Sequence, residues 1–192
     1  AGGGVAAGVV LLARDRSARE LGARELGARE LSVPTIAAQV LICPMLDHRN
    51  ETVSSHQFTA PGVWSRESNE FAWSAVRGDA VEMSSYTSPA IAPDLSGLPQ
   101  TYVDAGSAEV FRDECVDYAS RIWAAGGTAE LHVWSGGFHG FDALYPDAAL
   151  SRAARATRTD WLRRTIASRR QQRADVTASG RRCAARRWRL GA

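Results

Sequence analysis

The sequence AELHVWSGGFHGF at residues 129–141 joins a run of strand length to a glycine-rich loop. Glycine lets the backbone enter conformations that a Cβ would forbid, so we predict that His139 is presented at the mouth of a sheet with both ring nitrogens available. The alternative is a histidine that only caps a turn. Of the other three histidines, His48 and His56 lie in a polar stretch and His132 lies within the strand, so His139 is our candidate general base.

A general-base imidazole needs a carboxylate that fixes its tautomer and stabilises its charged form. Five acids lie upstream at close spacing, namely Asp104, Glu109, Asp113, Glu114 and Asp117. Asp104 ends a predicted strand, and the last three begin a predicted helix, where carboxylates favour the positive end of the helix dipole. Glu109 lies in the loop between them, from which a side chain reaches a histidine on the next loop. We therefore predict Glu109 as the partner of His139.

Hydrophobic patterning predicts alternating strands and helices. The predicted strands cover 38–43, 101–104 and 129–134. The predicted helices cover 4–14, 61–76, 111–125 and 147–167, with two short helices as the alternative for 61–76. The helix at 111–125 is expected to bury one face made of Val116, Ala119, Ile122 and Trp123. Small residues in the first helix permit close approach to a sheet. The alternation predicts an α/β fold with a mainly parallel sheet, although three strands are few for such a sheet.

Composition bounds the class of protein. The chain has 192 residues, of which 45% are hydrophobic, as expected for one globular domain. Its three cysteines, Cys43, Cys115 and Cys183, are far apart and lack metal-ligand spacing, which argues against a disulfide framework and favours a reducing, cytoplasmic location. We expect no membrane span, because no apolar run approaches the roughly 18 residues that a spanning helix needs.

Two segments differ from the rest of the chain. Residues 163–192 carry ten arginines against the single acid Asp175, while residues 1–162 carry thirteen arginines against twenty acids. We expect a domain over residues 1–167 and a disordered arginine-rich tail over 168–192, with nucleic-acid binding as a less favoured alternative. Residues 18–32 repeat the motif Arg-Glu-Leu-Gly-Ala and are interpreted as a surface expansion, the alternative being a partner-binding helix.

Several motifs in order resemble landmarks of one enzyme family. They are Ser88-Pro89-Ala90, Gly97-Leu98-Pro99-Gln100-Thr101-Tyr102, Glu109-Val110-Phe111-Arg112-Asp113-Glu114 and His139-Gly140-Phe141. Their order and spacing are similar to those of the bacterial hormone-sensitive-lipase-like esterases, a group of α/β-hydrolases. The resemblance implies the C-terminal part of an α/β-hydrolase fold, a three-layer α/β/α sandwich, that hydrolyses a small-molecule carboxylic ester without a cofactor or metal.

The resemblance also assigns roles to individual residues. It implies that His139 is the general base and Glu109 the orienting acid, a glutamate where aspartate is commoner, and that Asp47 has a structural role. The opening residues AGGGVAAG resemble the segment that comes directly after the serine of a nucleophile elbow, so the serine, the oxyanion loop and the cap are expected upstream of residue 1. Ala1 then occupies the oxyanion position next to the serine. Ser107 and Ser135 lack an elbow context and are not expected to replace it.

Two other interpretations of the chain remain open. The chain could be a non-catalytic, truncated fragment of such an enzyme, with an uncovered sheet edge that favours association. It could also form a homo-oligomer or require a missing N-terminal half.

Overall fold

The structure is a computed structural model that describes residues 2–25, 35–59 and 61–189. Two compact units are distinguished, one ending at Ala154 and one beginning at Arg155. The helices are α1 (Gly2–Glu25), α2 (Val53–Gln57), α3 (Arg66–Arg77), α4 (Arg112–Ala124), α5 (Phe141–Leu144) and α6 (Ala149–Arg189). The strands are β1 (Ala38–Ile42), β2 (Gln100–Gly106) and β3 (Ala129–Trp134), and a short 3₁₀ turn covers Pro89–Ile91.

The described strands form one parallel sheet in the order β1-β2-β3. β2 lies in the centre and is buried from Thr101 to Gly106, as expected for a parallel strand covered on both faces. Helix α1 packs on β1, and α4 packs on β2 and β3. The predicted α/β fold with a parallel sheet is therefore confirmed.

Glycines in α1 let this helix pack closely against the backbone of neighbouring segments. A Cβ added to Gly4 would overlap the carbonyl of Met45, and one added to Gly8 would overlap the carbonyl of Tyr86. Gly3 lies close to the sheet itself, since a Cβ added there would be 3.3 Å from the carbonyl oxygen of Ile42 in β1, so the expected close approach is confirmed. The helix continues to Glu25, past its predicted end at residue 14, because alanine, arginine, leucine and glutamate are good helix formers. The remainder of the repeat, residues 26–32, lies outside the described residues, as does Ala1.

The buried face of α4 differs from the predicted one. Ala119 and Ile122 are fully buried, together with Cys115 and Tyr118, whereas Val116 is 37% exposed and Trp123 is 45% exposed. Positions 115, 118, 119 and 122 form the i, i+3, i+4, i+7 stripe of one helix face, onto which 116 and 123 do not fall. The prediction for Val116 and Trp123 is therefore wrong.

Three further boundaries differ from expectation. The polar stretch that contains His48 and His56 includes a helix that the sequence did not predict, α2. It begins after Thr52, whose side chain caps the helix by accepting the N–H of Ser55. Helix α3 begins after the cap residue Ser65 instead of at Pro61. Helix α6 continues to Arg189 through the segment for which disorder is predicted, since arginine, alanine and glutamine favour helix. No helix among the described residues is long and apolar enough to cross a membrane.

Candidate active site

Two loops meet at the carboxyl edge of the sheet. The acid loop, residues 107–111, follows β2, and the histidine loop, residues 135–140, follows β3. Because β2 and β3 are neighbouring parallel strands, both loops leave the same edge of the sheet. This edge is where ligands bind in open α/β sheets.

Backbone hydrogen bonds join the acid loop to the histidine loop. The N–H of Ser107 donates to the Trp134 carbonyl at 2.8 Å, and the N–H of Ala108 donates to the Gly137 carbonyl at 2.8 Å. The N–H of Gly136 donates to Oγ of Ser107, also at 2.8 Å. Two direct bonds therefore join the acid loop to the histidine loop and a third joins it to the end of β3, and the Ser107 hydroxyl accepts one of them.

The histidine loop turns because glycine accepts positive φ angles. Gly136 has a φ of 76° and Gly140 a φ of 70°, a region of backbone conformation that favours glycine. These two turns carry His139 back over the acid loop. The expectation of a histidine presented on a glycine loop agrees with this conformation.

His139 and Glu109 are in direct contact. Nδ1 of His139 lies 2.9 Å from Oε2 of Glu109, and the side chain of Glu109 is completely buried while that of His139 is 23% exposed. The other carboxylate oxygen of Glu109 accepts the N–H of Gly106 at 2.5 Å. With an ionised Glu109 as acceptor, Nδ1 carries the hydrogen and Nε2 is left as the proton acceptor of the ring.

Two aromatic rings pack against the imidazole of His139. The ring of Phe111 meets that of His139 edge-on with centroids 5.2 Å apart, and the ring of Trp64 lies at 5.7 Å. Both rings limit the rotation of the imidazole and shield part of its surface from water. Neither residue is assigned to the site from the sequence, because Trp64 lies far from His139 along the chain and Phe111 stands at a helix boundary.

Cys43 is a third side chain beside this pair. It follows β1 directly, has a φ of 42°, and is 5% exposed. Burial, together with the charge of the neighbouring Glu109, raises the pKa of its thiol, so the thiol is protonated at neutral pH. Among the described residues, Cys43, Glu109 and His139 form a group of possible metal-donor side chains with their ligand atoms within 4.8 Å of one another. The spacing of cysteines in the sequence could not indicate this group, because it joins the ends of three strands.

The neighbouring acids make other bonds. Glu114 accepts the N–H of Leu46 at 2.6 Å, Asp113 accepts the N–H of Ser54 at 2.7 Å, and Asp104 is bonded to the Tyr102 hydroxyl at 3.3 Å. Burial raises the pKa of Glu114 well above its usual value. Asp117 lies 4.0 Å from Arg121, and Asp47 is paired with Arg49. These contacts engage Asp47 and the other four candidate acids elsewhere and leave Glu109 as the acid that faces His139.

The other histidines lie outside this arrangement. Nδ1 of His48 lies 2.9 Å from Oγ of Ser88, and Nε2 of His56 lies 3.3 Å from Glu51. His132 is 3.1 Å from Glu130, but both belong to β3, and both side chains are 31% exposed. The pair of Glu130 and His132 therefore offers a control for the pair of Glu109 and His139.

An open cavity of about 700 Å³ adjoins His139. Its lining is mostly apolar and aromatic and consists of Gln57, Phe58, Pro61, Gly62, Val63, Trp64, Ala108, Phe138, His139, Leu144 and Tyr145. A concave, largely apolar site with a few polar groups, here those of Gln57, His139 and Tyr145, is typical of small-molecule binding.

The first turn of α1 lies beside the same edge of the sheet. A Cβ added to Gly3 would lie 3.3 Å from the carbonyl oxygen of Ile42 and 2.8 Å from Cβ of Pro44, so this turn touches both neighbours of Cys43. Ala1, the expected oxyanion position, lies outside the described residues, but the first turn of the helix that follows it touches the neighbours of Cys43, whose sulfur lies within 4.8 Å of the ligand atoms of Glu109 and His139.

The similarity to known proteins agrees with this geometry. The esterase LipW from Mycobacterium marinum has a TM-score of 0.72 and 30% identity, over 83% of this chain and 46% of that one. A bacterial heroin esterase has a TM-score of 0.68 and 36% identity, over 85% of this chain and 49% of that one. An esterase from Pyrobaculum calidifontis has a TM-score of 0.63 and 29% identity, over 80% and 46%.

The chain therefore spans less than half the length of these solved structures. Among curated proteins there is no significant match. The family model described as alpha/beta hydrolase fold matches residues 1–143, which include β1, β2, β3, Glu109 and His139. As the resemblance implied, the chain belongs to the α/β-hydrolase family, and the solved structures similar to it are esterases.

Proposed function

We propose that this chain carries the acid and base of a serine carboxylesterase, with His139 as general base and Glu109 as the acid that orients it. The single observation that supports this most directly is the 2.9 Å contact between Nδ1 of His139 and a fully buried Glu109 carboxylate, at the edge of a cavity. The contact leaves Nε2 free to take a proton, as acyl transfer by a hydroxyl requires.

The proposed reaction proceeds through an acyl-enzyme. Nε2 of His139 takes the proton of a serine hydroxyl as its oxygen attacks the ester carbonyl, and then returns the proton to the leaving alcohol. Water attacks the acyl-enzyme by the same route and releases the acid. Glu109 stays ionised throughout and stabilises the imidazolium that forms in both steps.

The nucleophile of the proposed reaction is a serine outside residues 1–192. In the family resemblance it precedes Ala1, and the position of α1 supports this placement, since Gly3 touches Ile42 and Pro44, the two neighbours of Cys43, and Cys43 lies beside Glu109 and His139. A hydroxyl at the start of α1 would also lie at the positive end of a helix, where the oxyanion that develops on the substrate is stabilised.

The cavity supports a small ester with an apolar or aromatic group as the substrate. Its walls include the aromatic side chains of Phe58, Trp64, Phe138 and Tyr145, and His139 also lines it. The solved structures similar to this chain are esterases, one of them a bacterial heroin esterase, which agrees with an ester substrate.

The decisive experiment measures hydrolysis of a short-chain aryl ester by residues 1–192 joined to the upstream sequence that supplies the nucleophile. His139→Ala is expected to reduce kcat by about 10³-fold or more, because the general base is lost. His132→Ala, which removes the other histidine of a His–Glu pair, is the matched control and is expected to leave kcat unchanged. Near-full activity of His139→Ala would refute the assignment.

A second candidate is a non-catalytic fragment of such an enzyme. The observation in its favour is that β1 pairs with β2 alone among the described strands and so presents an edge, a feature that favours association. Residues 1–192 expressed alone would then show no ester turnover and would form oligomers or aggregates. A monodisperse, active product would exclude this candidate.

A further inference from the structure

Cys43, Glu109 and His139 bring three different donor atoms to one place. The thiol sulfur, a carboxylate oxygen and a ring nitrogen all lie within 4.8 Å of one another. Each residue follows a different strand of the sheet, Cys43 after β1, Glu109 after β2 and His139 after β3. Ester hydrolysis uses only the carboxylate and the imidazole, so the thiol is the member of the group that the proposed function does not explain.

We propose that these three side chains form a binding site for a thiophilic divalent cation such as Zn²⁺ or Cd²⁺, and that the bound ion inhibits the esterase. The binding itself is independent of the proposed function, and only the inhibition rests on it. Sulfur, nitrogen and oxygen are the donor types that zinc takes in proteins.

The geometry is close to that of a zinc site. Zn–S bonds of about 2.3 Å and Zn–N and Zn–O bonds of about 2.0–2.2 Å place tetrahedral ligand atoms about 3.3–3.6 Å apart. Nδ1 of His139 is already 2.9 Å from Oε2 of Glu109, and the largest separation in the group is within 4.8 Å. Side-chain rotations that move the ligand atoms by about 1 Å therefore suffice to enclose the ion.

The charge of the group also suits a dication. Cys43 is 5% exposed and the side chain of Glu109 is fully buried, so a net charge on the group is costly. A dication bound by one thiolate and one carboxylate gives a neutral cluster. The Cys43 thiol loses its proton to water, and the hydrogen of His139 resides on whichever ring nitrogen does not bind the ion.

The ion reaches the site through the cavity, and the fourth ligand position opens to the same space. His139 lines the cavity of about 700 Å³ and is the exposed member of the three, at 23% of its side chain. A water molecule completes the coordination from that side. Inhibition follows whichever ring nitrogen of His139 binds the ion. If Nε2 binds the ion, it is occupied, and if Nδ1 binds the ion, Nε2 carries the hydrogen. In both cases Nε2 cannot accept the proton of a serine.

The experiment titrates CdCl₂ into residues 1–192 and records the ultraviolet charge-transfer band between thiolate and cadmium. All titrations use a Cys183→Ser background, so that Cys43 and Cys115 are the remaining thiols. We expect a band that saturates at one equivalent, is lost in Cys43→Ser, and is retained in Cys115→Ala. Glu109→Gln and His139→Ala are expected to weaken cadmium binding by more than about tenfold.

Zinc provides a second measurement. X-ray absorption of the chain with one equivalent of ZnCl₂ is expected to show one sulfur at about 2.3 Å with nitrogen and oxygen at about 2.0–2.2 Å. The proposal is overturned if no band appears at one equivalent, if the band persists in Cys43→Ser, or if Cys115→Ala abolishes it.

The two proposals fail separately. Cadmium binding is measured without turnover, so an inactive enzyme would refute the proposed function and leave the metal site standing. Conversely, an active enzyme whose hydrolysis rate is unchanged by saturating zinc would overturn the inhibition. Circular dichroism of each variant checks whether a loss of cadmium binding comes from a loss of folding. If Cys43→Ser fails to fold, His139→Ala still tests the site.

Discussion

Gly106, the last residue of β2, packs backbone to backbone against Gly137 in the histidine loop. A Cβ added to Gly106 would overlap the carbonyl of Gly137, and the same carbonyl accepts the N–H of Ala108 at 2.8 Å. The distance between the acid loop and the histidine loop therefore depends on the absence of a side chain at Gly106. Because the N–H of Gly106 also donates to Glu109, this contact helps to set the distance between Glu109 and His139.

Gly106→Ala is expected to reduce ester hydrolysis by about 100-fold, because a displacement of about 1 Å between catalytic groups has an effect of that size. Gly127→Ala is the matched control, since its Cβ would crowd Ile122 in the loop before β3, at the other edge of the sheet. We expect Gly127→Ala to lower the melting temperature without changing turnover per folded molecule. Equal losses of turnover in both variants would show that the effect is general instability.

Glu109→Gln is expected to lower kcat by about 10⁴-fold, because an amide cannot stabilise the imidazolium and can hold the ring in the wrong tautomer. Glu130→Gln alters the other His–Glu pair, whose atoms are 3.1 Å apart and partly exposed, and is expected to leave kcat unchanged. The measurement is steady-state hydrolysis of a short-chain aryl ester. A loss of less than tenfold in Glu109→Gln would contradict the role of Glu109.

Trp64→Ala is expected to lower kcat/KM for aryl esters about tenfold, which corresponds to about 1.4 kcal/mol of lost ring contact with His139 and with the substrate. Trp123→Ala is the control, because Trp123 is 45% exposed and does not line the cavity. Small acetate esters of aliphatic alcohols should be affected less than aryl esters. A loss that is independent of the alcohol group would indicate that Trp64 acts on the imidazole alone.

Glu114 is expected to make stability depend on pH in an unusual direction. Burial raises the pKa of its carboxyl well above the usual 4.5, so its contribution to the free energy of unfolding is complete below pH 4.5 and is lost as the pH rises through the folded pKa. Glu114→Gln keeps an acceptor for the Leu46 N–H and removes the charge. Denaturant unfolding from about pH 4 to about pH 8 should give a flatter profile for Glu114→Gln, with equal or higher stability near neutrality.

Asp113 provides the opposite case for the same measurement. Burial acts to raise its pKa, but the hydrogen bonds from Arg112 and Ser54 outweigh burial and lower it below 3.8. Its contribution is present above pH 3.8 and is lost as the pH falls through the folded pKa. Asp113→Asn should therefore be destabilised near neutral pH and approach the parent chain in acid. The same pH slope for both variants would contradict the two assignments.

Local sequence was sufficient to predict the bounds of an element where glycines or other turn residues border its hydrophobic pattern. β3 has the predicted bounds, 129–134, because glycines border the run on both sides. Helix α4 differs from its prediction by one residue at each end. The buried face of α4 was predicted less well, because apolar residues such as Val116 and Trp123 occur on both faces, and contact with the sheet selects between them.

The pairing of Glu109 with His139 could be predicted from the order of the chain alone. An acid after one parallel strand and a histidine after the next are brought to the same edge of the sheet by the pairing of the two strands, whatever the details of packing. The positions of Cys43 and Trp64 beside His139 could not be predicted in this way. Their contacts join distant segments through the order of the strands and the path of the loop before α3, and such non-local packing has no periodic signal in the sequence.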